Sequence, residues 1–166
     1  MSGFRKAIML VAALGLAGCS NAAWDDTNTT NLGGAGTGAS ALDPASPAYF
    51  QQEIGDRVLF LVDQSSLNPT AEVILQGQAR WLSSNPDYVV TIQGHADEQG
   101  TREYNLALGA RRANSAREYL ISQGIAGSRI QVVSFGKERP LEICSAESCY
   151  AKNRRAVTVL AGGLTG

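Results

Sequence analysis

The fold is decided by residues 88–113, which read YVVTIQGHADEQGTREYNLALGARRA. Residues 88–93 are rich in β-branched side chains and predict a strand. A polar loop is predicted over residues 95–101. A long helix is predicted from Arg102 to Gln123, because apolar residues recur at helical spacing and a glycine follows. The apolar face of this helix is predicted to consist of Leu106, Ala110, Ala113 and Leu120.

Strands and helices alternate on both sides of this stretch. A short apolar run at residues 57–62 predicts a strand, and Asn68 followed by Pro69 predicts the start of a helix. Further strands are predicted at residues 130–135 and 156–160. The inner face of the first helix is predicted from its spacing to be Ala71, Leu75, Ala79 and Leu82. This alternation predicts a fold of the α/β class, an α+β sandwich with helices covering a sheet.

The N-terminus carries the pattern of an export signal. Arg5 and Lys6 precede an apolar run of ten residues, which is shorter than the roughly 20 residues that span a bilayer but fits a signal peptide. The run ends in Leu-Ala-Gly-Cys, which resembles the lipobox of bacterial lipoproteins. We therefore predict a lipoprotein signal peptide over residues 1–18 and a lipidated Cys19. An ordinary secretory signal followed by an unmodified cysteine is the alternative.

A flexible tether is predicted over residues 19–48 and a folded domain over residues 49–166. The tether is rich in Gly, Ser, Thr and Asn and lacks apolar periodicity. Cleavage before Cys19 removes Arg5 and Lys6, so the net charge becomes 12 − 15 = −3. A negative charge and an extracytoplasmic address argue against nucleic-acid binding, and a single histidine excludes a multi-His metal site.

Two cysteines remain once Cys19 is set apart. Cys144 and Cys149 lie in a short segment before the last predicted strand. Beyond a signal peptide the compartment is oxidising, which favours a disulfide bond between them. In the chain-entropy model so short a loop contributes only about 2 kcal/mol, so the bond would be a local staple. Two free thiols are the alternative.

The polar loop and the start of the long helix bring together the side chains of a candidate site. A helix N-terminus offers unpaired N–H groups and the positive end of the helix dipole. Asn105 and Arg112 are seven residues apart and share a helix face, near Asp97 of the loop. An acid and an arginine together match the ammonium and carboxylate of an amino-acid group. Spacing alone favours the alternative, in which Asp97 caps the helix and Arg112 forms a surface ion pair.

Several blocks of the sequence resemble one family. Residues 94–113 resemble the signature of the peptidoglycan-associated lipoproteins, which belong to the larger OmpA C-terminal-like family. Further similar blocks are LFLVD at residues 59–63, VSFGKERP at residues 133–140 and NRRAV at residues 153–157. The resemblance spans about residues 55–161. It implies an OmpA-like domain, with a four-stranded mixed sheet and two main helices packed on it.

The resemblance also implies non-covalent binding of peptidoglycan through the meso-diaminopimelate of its stem peptide. By the family pattern, Asp97 would take the ammonium group and Arg112 the carboxylate. Supporting positions would be Asn105, Thr101, Gly100, Arg155, Phe60 and Asp63. The family implies TolB and TolA as partners in envelope constriction during cell division, and no cofactor. It further implies a lipid anchor in the outer membrane with the domain in the periplasm, and Ser20 is compatible with that sorting.

Two other functions remain open at this level. A periplasmic hydrolase would use His95, Asp97 and Glu98, but the sequence has no Gly-x-Ser-x-Gly motif and no second histidine. We therefore expect a binding protein and not an enzyme, with His95 packed or hydrogen-bonded at the strand end. The second alternative is a protein-interaction module that binds TolB and does not bind peptidoglycan.

Overall fold

The computed structural model describes residues 42–162. The predicted signal peptide, the predicted lipidated Cys19 and most of the predicted tether lie outside these residues. No helix within the described range combines the length and the apolar character that crossing a membrane requires.

Four α-helices lie in the described part of the chain: α1 (Pro47–Tyr49), α2 (Pro69–Ser84), α3 (Arg102–Ser122) and α4 (Glu147–Asn153). A π-helical segment at Phe50–Gly55 and a 3-10 turn at Gly127–Arg129 complete the helical structure. The two long helices begin where the sequence predicted, because each has a capping side chain. Asn68 Oδ1 accepts from the N–H of Ala71 at 2.8 Å, and Thr101 Oγ1 accepts from the N–H of Tyr104 at 3.2 Å.

A mixed sheet lies at the centre of the domain. Its strands are β1 (Arg57–Leu59), β2 (Tyr88–His95), β3 (Ile130–Gly136) and β4 (Arg155–Gly162), in the spatial order β1-β4-β2-β3. β2 and β3 are parallel, and β4 is antiparallel to both β1 and β2. Parallel neighbours need a long crossover, which α3 supplies. The predicted α/β fold with four strands and two main helices is confirmed.

The hydrophobic core lies between the sheet and the two long helices. The inner face predicted for α2 is confirmed, since its members are all buried: Ala71, Leu75, Ala79 and Leu82. The face predicted for α3 is partly wrong. Ala113 and Leu120 are buried, but Leu106 is 49% exposed. The polar Asn105 and Arg112 occupy the buried side of α3 instead, which a pattern built from apolar residues alone cannot indicate.

A close approach of two glycines holds α3 against the sheet. A Cβ added to Gly94 of β2 would lie 1.8 Å from the carbonyl oxygen of Gly109 in α3. A Cβ added to Gly109 would lie 2.5 Å from Ser134 Oγ. A side chain at either position would therefore force the helix away from the strands. This contact holds the N-terminal half of α3 beside the ends of β2 and β3.

The first strand is shorter than predicted. The sequence predicted a strand over residues 57–62, but β1 ends at Leu59. The chain then turns, and the N–H of Gln64 donates to the carbonyl of Leu61 at 3.2 Å. Asp63 has a φ of 56° in this turn, which is incompatible with a strand.

The folded domain includes the last residues of the segment predicted as tether. Trp81 Nε1–H donates to the carbonyl of Pro44 at 2.7 Å, and the Tyr88 hydroxyl donates to the carbonyl of Ala45 at 3.1 Å. Ser46 caps α1 with its hydroxyl. The packed chain thus begins several residues before the predicted boundary, because α2 and β2 carry donors that hold it.

Candidate functional site

A small cavity lies where the loop after β2 meets the start of α3. Its volume is about 150 Å³, and its lining consists of Val62, Asp63, Asp97, Gln99, Gly100, Tyr104 and Leu108. Two larger grooves, of about 410 and 420 Å³, lie beside Trp81 and beside Leu59, and they contain none of the predicted site residues. Pockets for drug-sized ligands span about 300–1,000 Å³, so the small cavity suits one end of a molecule.

Asp97 is the most buried acidic residue of the cavity. Its Oδ2 accepts from Arg154 Nη1–H at 3.1 Å, and its Oδ1 accepts from the N–H of Gln99 at 3.2 Å. The second bond forms an Asx turn that shapes the loop. Each carboxylate oxygen retains a further lone pair, so Asp97 can also accept from an ammonium group.

Arg112 lies deeper than Asp97 and is fully buried. Its Nε, Nη1 and Nη2 donate to the backbone carbonyls of Gln64, His95 and Leu61, at 2.8, 2.9 and 3.1 Å. Within residues 42–162, no carboxylate is hydrogen-bonded to this guanidinium. Burial lowers the pKa of Arg112 to about 10, so the group remains charged at neutral pH. The surface ion pair considered for it is therefore wrong.

Arg112 also accounts for the position of Asp63. By bonding the carbonyls of Leu61 and Gln64, it holds both ends of the turn that follows β1. Asp63 lies between them and lines the cavity, and its Oδ1 accepts from the Tyr104 hydroxyl at 2.9 Å. The positive φ of Asp63 costs on the order of 1 kcal/mol, a kind of strain that clusters at functional sites.

Three residues support the loop at the start of α3 without lining the cavity. Thr101 is the N-cap of the helix. Asn105 is buried, and its Nδ2–H donates to the carbonyl of Gln99 at 2.7 Å, while its Oδ1 has no partner among residues 42–162. Lys137 Nζ donates to the carbonyl of Gly100 at 2.7 Å. The loop is therefore fixed from three directions.

Phe60 and Arg155, the remaining predicted site residues, lie outside the cavity lining. The Phe60 ring is buried, with its centroid 5.4 Å from the guanidinium carbon of Arg112. Arg155 donates to the carbonyls of Asn153 and Arg139, at 3.3 and 3.2 Å. Arg155, the arginine predicted from the family pattern, is therefore not hydrogen-bonded to Asp97.

Arg154 is the arginine that lies next to Asp97, and sequence reasoning missed it. Besides its bond to Asp97, it donates from Nε to the carbonyl of Phe60 at 3.1 Å and forms an ion pair with Glu147. That bond lowers the pKa of the Glu147 carboxyl. The motif at residues 153–157 contained both arginines. Neighbouring residues of an extended chain point to opposite sides, so only one of the two arginines can face Asp97. The structure places Arg154, the residue just before β4, on that side.

A second side of the site is formed by residues 141–154, which we call the disulfide segment. Cys144 and Cys149 are joined by a disulfide bond. The hydroxyls of Tyr150 and Ser145 both donate to Glu98 Oε1, at 2.7 and 2.9 Å. These two bonds lower the pKa of the Glu98 carboxyl. The disulfide segment therefore holds the side chain of Glu98, the residue that follows Asp97.

His95 belongs to the core beside the site and not to the cavity. Its ring centroid lies 5.5 Å from that of Phe135, and the side chain is buried. Burial lowers the pKa of His95 to about 4, and the charges of Arg155 and Arg139 act in the same direction. An imidazole enclosed in this way is poorly placed to activate water for a ligand in the cavity.

The arrangement suits the binding of a small zwitterion. Asp63 and Asp97 present carboxylates to the cavity, and the buried cations of Arg112 and Arg154 lie close behind. An ammonium group and a carboxylate would each find the opposite charge there. In the part of the chain that the structure describes, no group of three His, Cys, Asp or Glu side chains is placed to hold a metal ion.

Comparisons with known proteins identify the family of this chain. A family model described as the OmpA family matches residues 59–154. The peptidoglycan-associated lipoprotein of Rhizobium meliloti (strain 1021) is 49% identical over 156 residues, which cover 93% of this chain and 86% of that protein. The protein of the same name from Pseudomonas aeruginosa is 38% identical, covering 93% of this chain and 96% of its own length.

Solved structures show the same fold. The crystal structure of the peptidoglycan-associated lipoprotein from Burkholderia pseudomallei is 36% identical, with a TM-score of 0.66, and the match covers 72% of this chain and all of that one. The C-terminal domain of Helicobacter pylori MotB, 17% identical with a TM-score of 0.61, shares the fold alone. The chain therefore belongs to the OmpA family and, within it, to the peptidoglycan-associated lipoproteins, which are structural proteins and not enzymes.

Proposed function

We propose that this protein is an outer-membrane lipoprotein that binds peptidoglycan non-covalently and links the outer membrane to the cell wall. The ligand group is the meso-diaminopimelate of the stem peptide, which carries an ammonium and a carboxylate at its free end. The observation that carries this proposal is that the buried cation of Arg112 lies close enough to Asp97, which lines the cavity, for their charges to interact.

Each end of the zwitterion has a counterpart. Asp97 accepts from the ammonium group, and Asp63 adds a second negative charge to the same cavity. Arg112 attracts the carboxylate. Its N–H groups bond three backbone carbonyls, and its charge acts through a medium of low dielectric constant. The positive end of the α3 dipole acts in the same direction.

The test is a calorimetric titration of the chain without residues 1–19, which retains the whole described domain, with a diaminopimelate-containing stem peptide. The lysine-containing peptide lacks one carboxylate and serves as the ligand control. Asp97→Asn removes the charge that receives the ammonium. Asp87→Asn is the matched control variant, because Asp87 is exposed in the turn before β2 and far from the cavity lining.

We expect the lysine peptide and Asp97→Asn each to weaken binding at least tenfold, about 1.4 kcal/mol. Asp87→Asn should bind like the unchanged protein. Equal binding of both peptides, or no binding by a folded domain, would rule the proposal out.

The cellular role proposed is that of the Tol-Pal system, with TolB and TolA as partners in envelope integrity and outer-membrane constriction during division. Exposed apolar side chains support a protein contact beside the cavity, since Leu61 and Val62 are both at least half exposed. A TolB titration in the presence of excess stem peptide tests this role. TolB binding that is blocked by the peptide supports an overlapping surface, whereas absence of any TolB binding argues against the partnership.

The anchor proposed is an acylated Cys19 in the outer membrane. Mass spectrometry of the protein extracted from membranes should find lipid on a new N-terminus at Cys19. Cys19→Ala should carry no lipid and should keep its signal peptide, because acylation of the cysteine precedes the cut. An unchanged protein without lipid at Cys19 would contradict this anchor.

A further inference from the structure

The disulfide segment is closed at two places. The Cys144–Cys149 bond closes its tip. At its base, Asn153 Oδ1 accepts from the N–H groups of Leu141 and Glu142, at 2.7 and 3.0 Å, and its Nδ2–H donates to the carbonyl of Glu142 at 2.8 Å. The segment is therefore a defined structure, even though most of it is exposed.

Contacts from this segment reach the two consecutive acidic residues of the β2–α3 loop. Tyr150 and Ser145 donate to one oxygen of Glu98. Glu147 pairs with Arg154, which in turn donates to Asp97 at 3.1 Å. None of the three side chains from the tip lines the cavity, whereas Asp97, which Glu147 reaches through Arg154, does line it.

The disulfide bond bears directly on these contacts. Ser145 follows Cys144, Tyr150 follows Cys149, and Glu147 lies between the two cysteines. The cysteines are five residues apart, and so short a loop constrains the unfolded chain only slightly. The bond therefore matters more to the geometry of these three side chains than to the stability of the whole domain.

We propose that the disulfide segment positions the ligand-binding acid of this site. Glu147 acts through Arg154 on Asp97, Tyr150 and Ser145 act on Glu98, and the Cys144–Cys149 bond sets the geometry of all three. The segment holds the Asp97-Glu98 pair in the conformation that accepts an ammonium group. This inference rests on the proposed function, because the ligand considered is the same.

The first test compares the oxidised and the reduced protein in the same titration with the diaminopimelate peptide. A water-soluble phosphine reduces the bond: the two sulfurs gain two electrons and two protons, and the phosphine becomes its oxide by taking oxygen from water. We expect reduction to weaken binding about tenfold while circular dichroism shows the fold retained. The double variant Cys144→Ser/Cys149→Ser should bind like the reduced protein and not respond to the phosphine. Unchanged affinity on reduction would overturn the proposal.

A matched pair of substitutions separates positioning from a general effect of charge in the segment. Glu147→Gln should weaken binding about threefold, and Glu147→Asp should retain part of the affinity because it keeps the carboxylate. Glu142→Gln is the control, since Glu142 lies in the same segment but its carboxylate pairs with Lys152 at 3.0 Å. Equal effects of Glu147→Gln and Glu142→Gln would contradict the proposal.

A readout without ligand keeps this inference separate from the proposed function. The bond to Glu98 raises the pKa of the Tyr150 hydroxyl. Reduction should bring this pKa back toward its ordinary value, as measured by phenolate absorbance of the protein minus that of Tyr150→Phe. If the oxidised protein fails to bind the peptide, the proposed function fails, and the Tyr150 titration still decides whether the bond positions Glu98. A Tyr150 titration that reduction leaves unchanged would overturn the positioning.

Discussion

The two sides of the cavity hold their arginines in different ways. On the side of α3, Arg112 is fully buried and donates to three backbone carbonyls. On the side of the disulfide segment, Arg154 is also buried, but it donates to the carboxylates of Asp97 and Glu147. The first cation is held by neutral dipoles and the second by two negative charges.

Because of this difference, we expect the two arginines to have different roles. Carbonyl dipoles satisfy the donors of Arg112 without cancelling its charge, so that charge remains available to attract an anion. The charge of Arg154 is compensated, so Arg154 chiefly orients Asp97. We therefore expect changes on the α3 side to affect both folding and ligand binding. Changes on the disulfide side should affect mainly binding.

The largest expected effect comes from separating α3 from the sheet. Gly94→Ala would bring a Cβ to 1.8 Å from the Gly109 carbonyl oxygen. We expect the free energy of unfolding in urea to fall by more than about 4 kcal/mol, because backbone must move to make room. Gly124→Ala is the control. Gly124 has a positive φ of 94°, which Gly94 does not have, and within residues 42–162 nothing lies within 4 Å of an added Cβ, so a loss of only about 1 kcal/mol is expected.

A loss from Gly94→Ala no larger than that from Gly124→Ala would contradict this role of the contact between helix and strand.

The next effect tests how Arg112 is held. Arg112→Gln leaves buried carbonyls without donors, which should lower the free energy of unfolding by about 3 kcal/mol. Arg111→Gln is the matched control, because the neighbouring Arg111 is exposed and lies over the Tyr104 ring at 5.9 Å. A change of less than about 0.5 kcal/mol is expected there. The free energy of unfolding is measured with urea. Equal losses in both variants would contradict the conclusion that Arg112 holds the turn after β1.

The smallest of the three expected effects is a pH dependence of stability, which should differ between the two sides of the cavity. The pKa of His95, beside Arg112, is lowered from 6.5 to about 4. As the pH falls below 6.5, His95 is protonated in the unfolded chain but stays neutral in the folded protein. Stability is therefore complete above pH 6.5 and falls toward pH 4, with a loss of about 2 kcal/mol by pH 5. The carboxyls of Glu98 and Glu147 have lowered pKa values, so the disulfide side should not change in this window.

Two measurements check this pH dependence. The chain has one histidine, so its imidazole proton resonance gives the folded pKa directly. Urea unfolding at pH 7.5 and pH 5 gives the loss, which His95→Gln should reduce. An imidazole that titrates near 6.5 in the folded protein would refute the predicted dependence.

Much of the fold follows from local sequence. The cap at Asn68 and the β-branched run at residues 88–93 act over a few neighbouring residues, so their signals can be read directly. The spacing of Leu75 and Leu82 likewise fixed the buried side of α2. The polar residues grouped by spacing, Asp97, Asn105 and Arg112, do lie close to one cavity, because a short loop and one helix connect them.

The rest of the site depends on contacts between distant parts of the chain. Arg112 bonds carbonyls 48 and 51 residues earlier in sequence, and these bonds end β1 at Leu59 and bring Asp63 to the cavity. Arg154 reaches Asp97 across 57 residues. No local pattern contains these distances.

The sequence by itself therefore determined the two long helices, the order of the four strands along the chain, the class of fold, the family and the polar residues nearest the loop. Only the tertiary structure decided which arginine meets Asp97, why Leu106 faces solvent, and how closely α3 approaches β2 at Gly94. The physical reason is that helix and strand signals are local, whereas a buried charge is placed by whichever acceptors the folded chain brings to it.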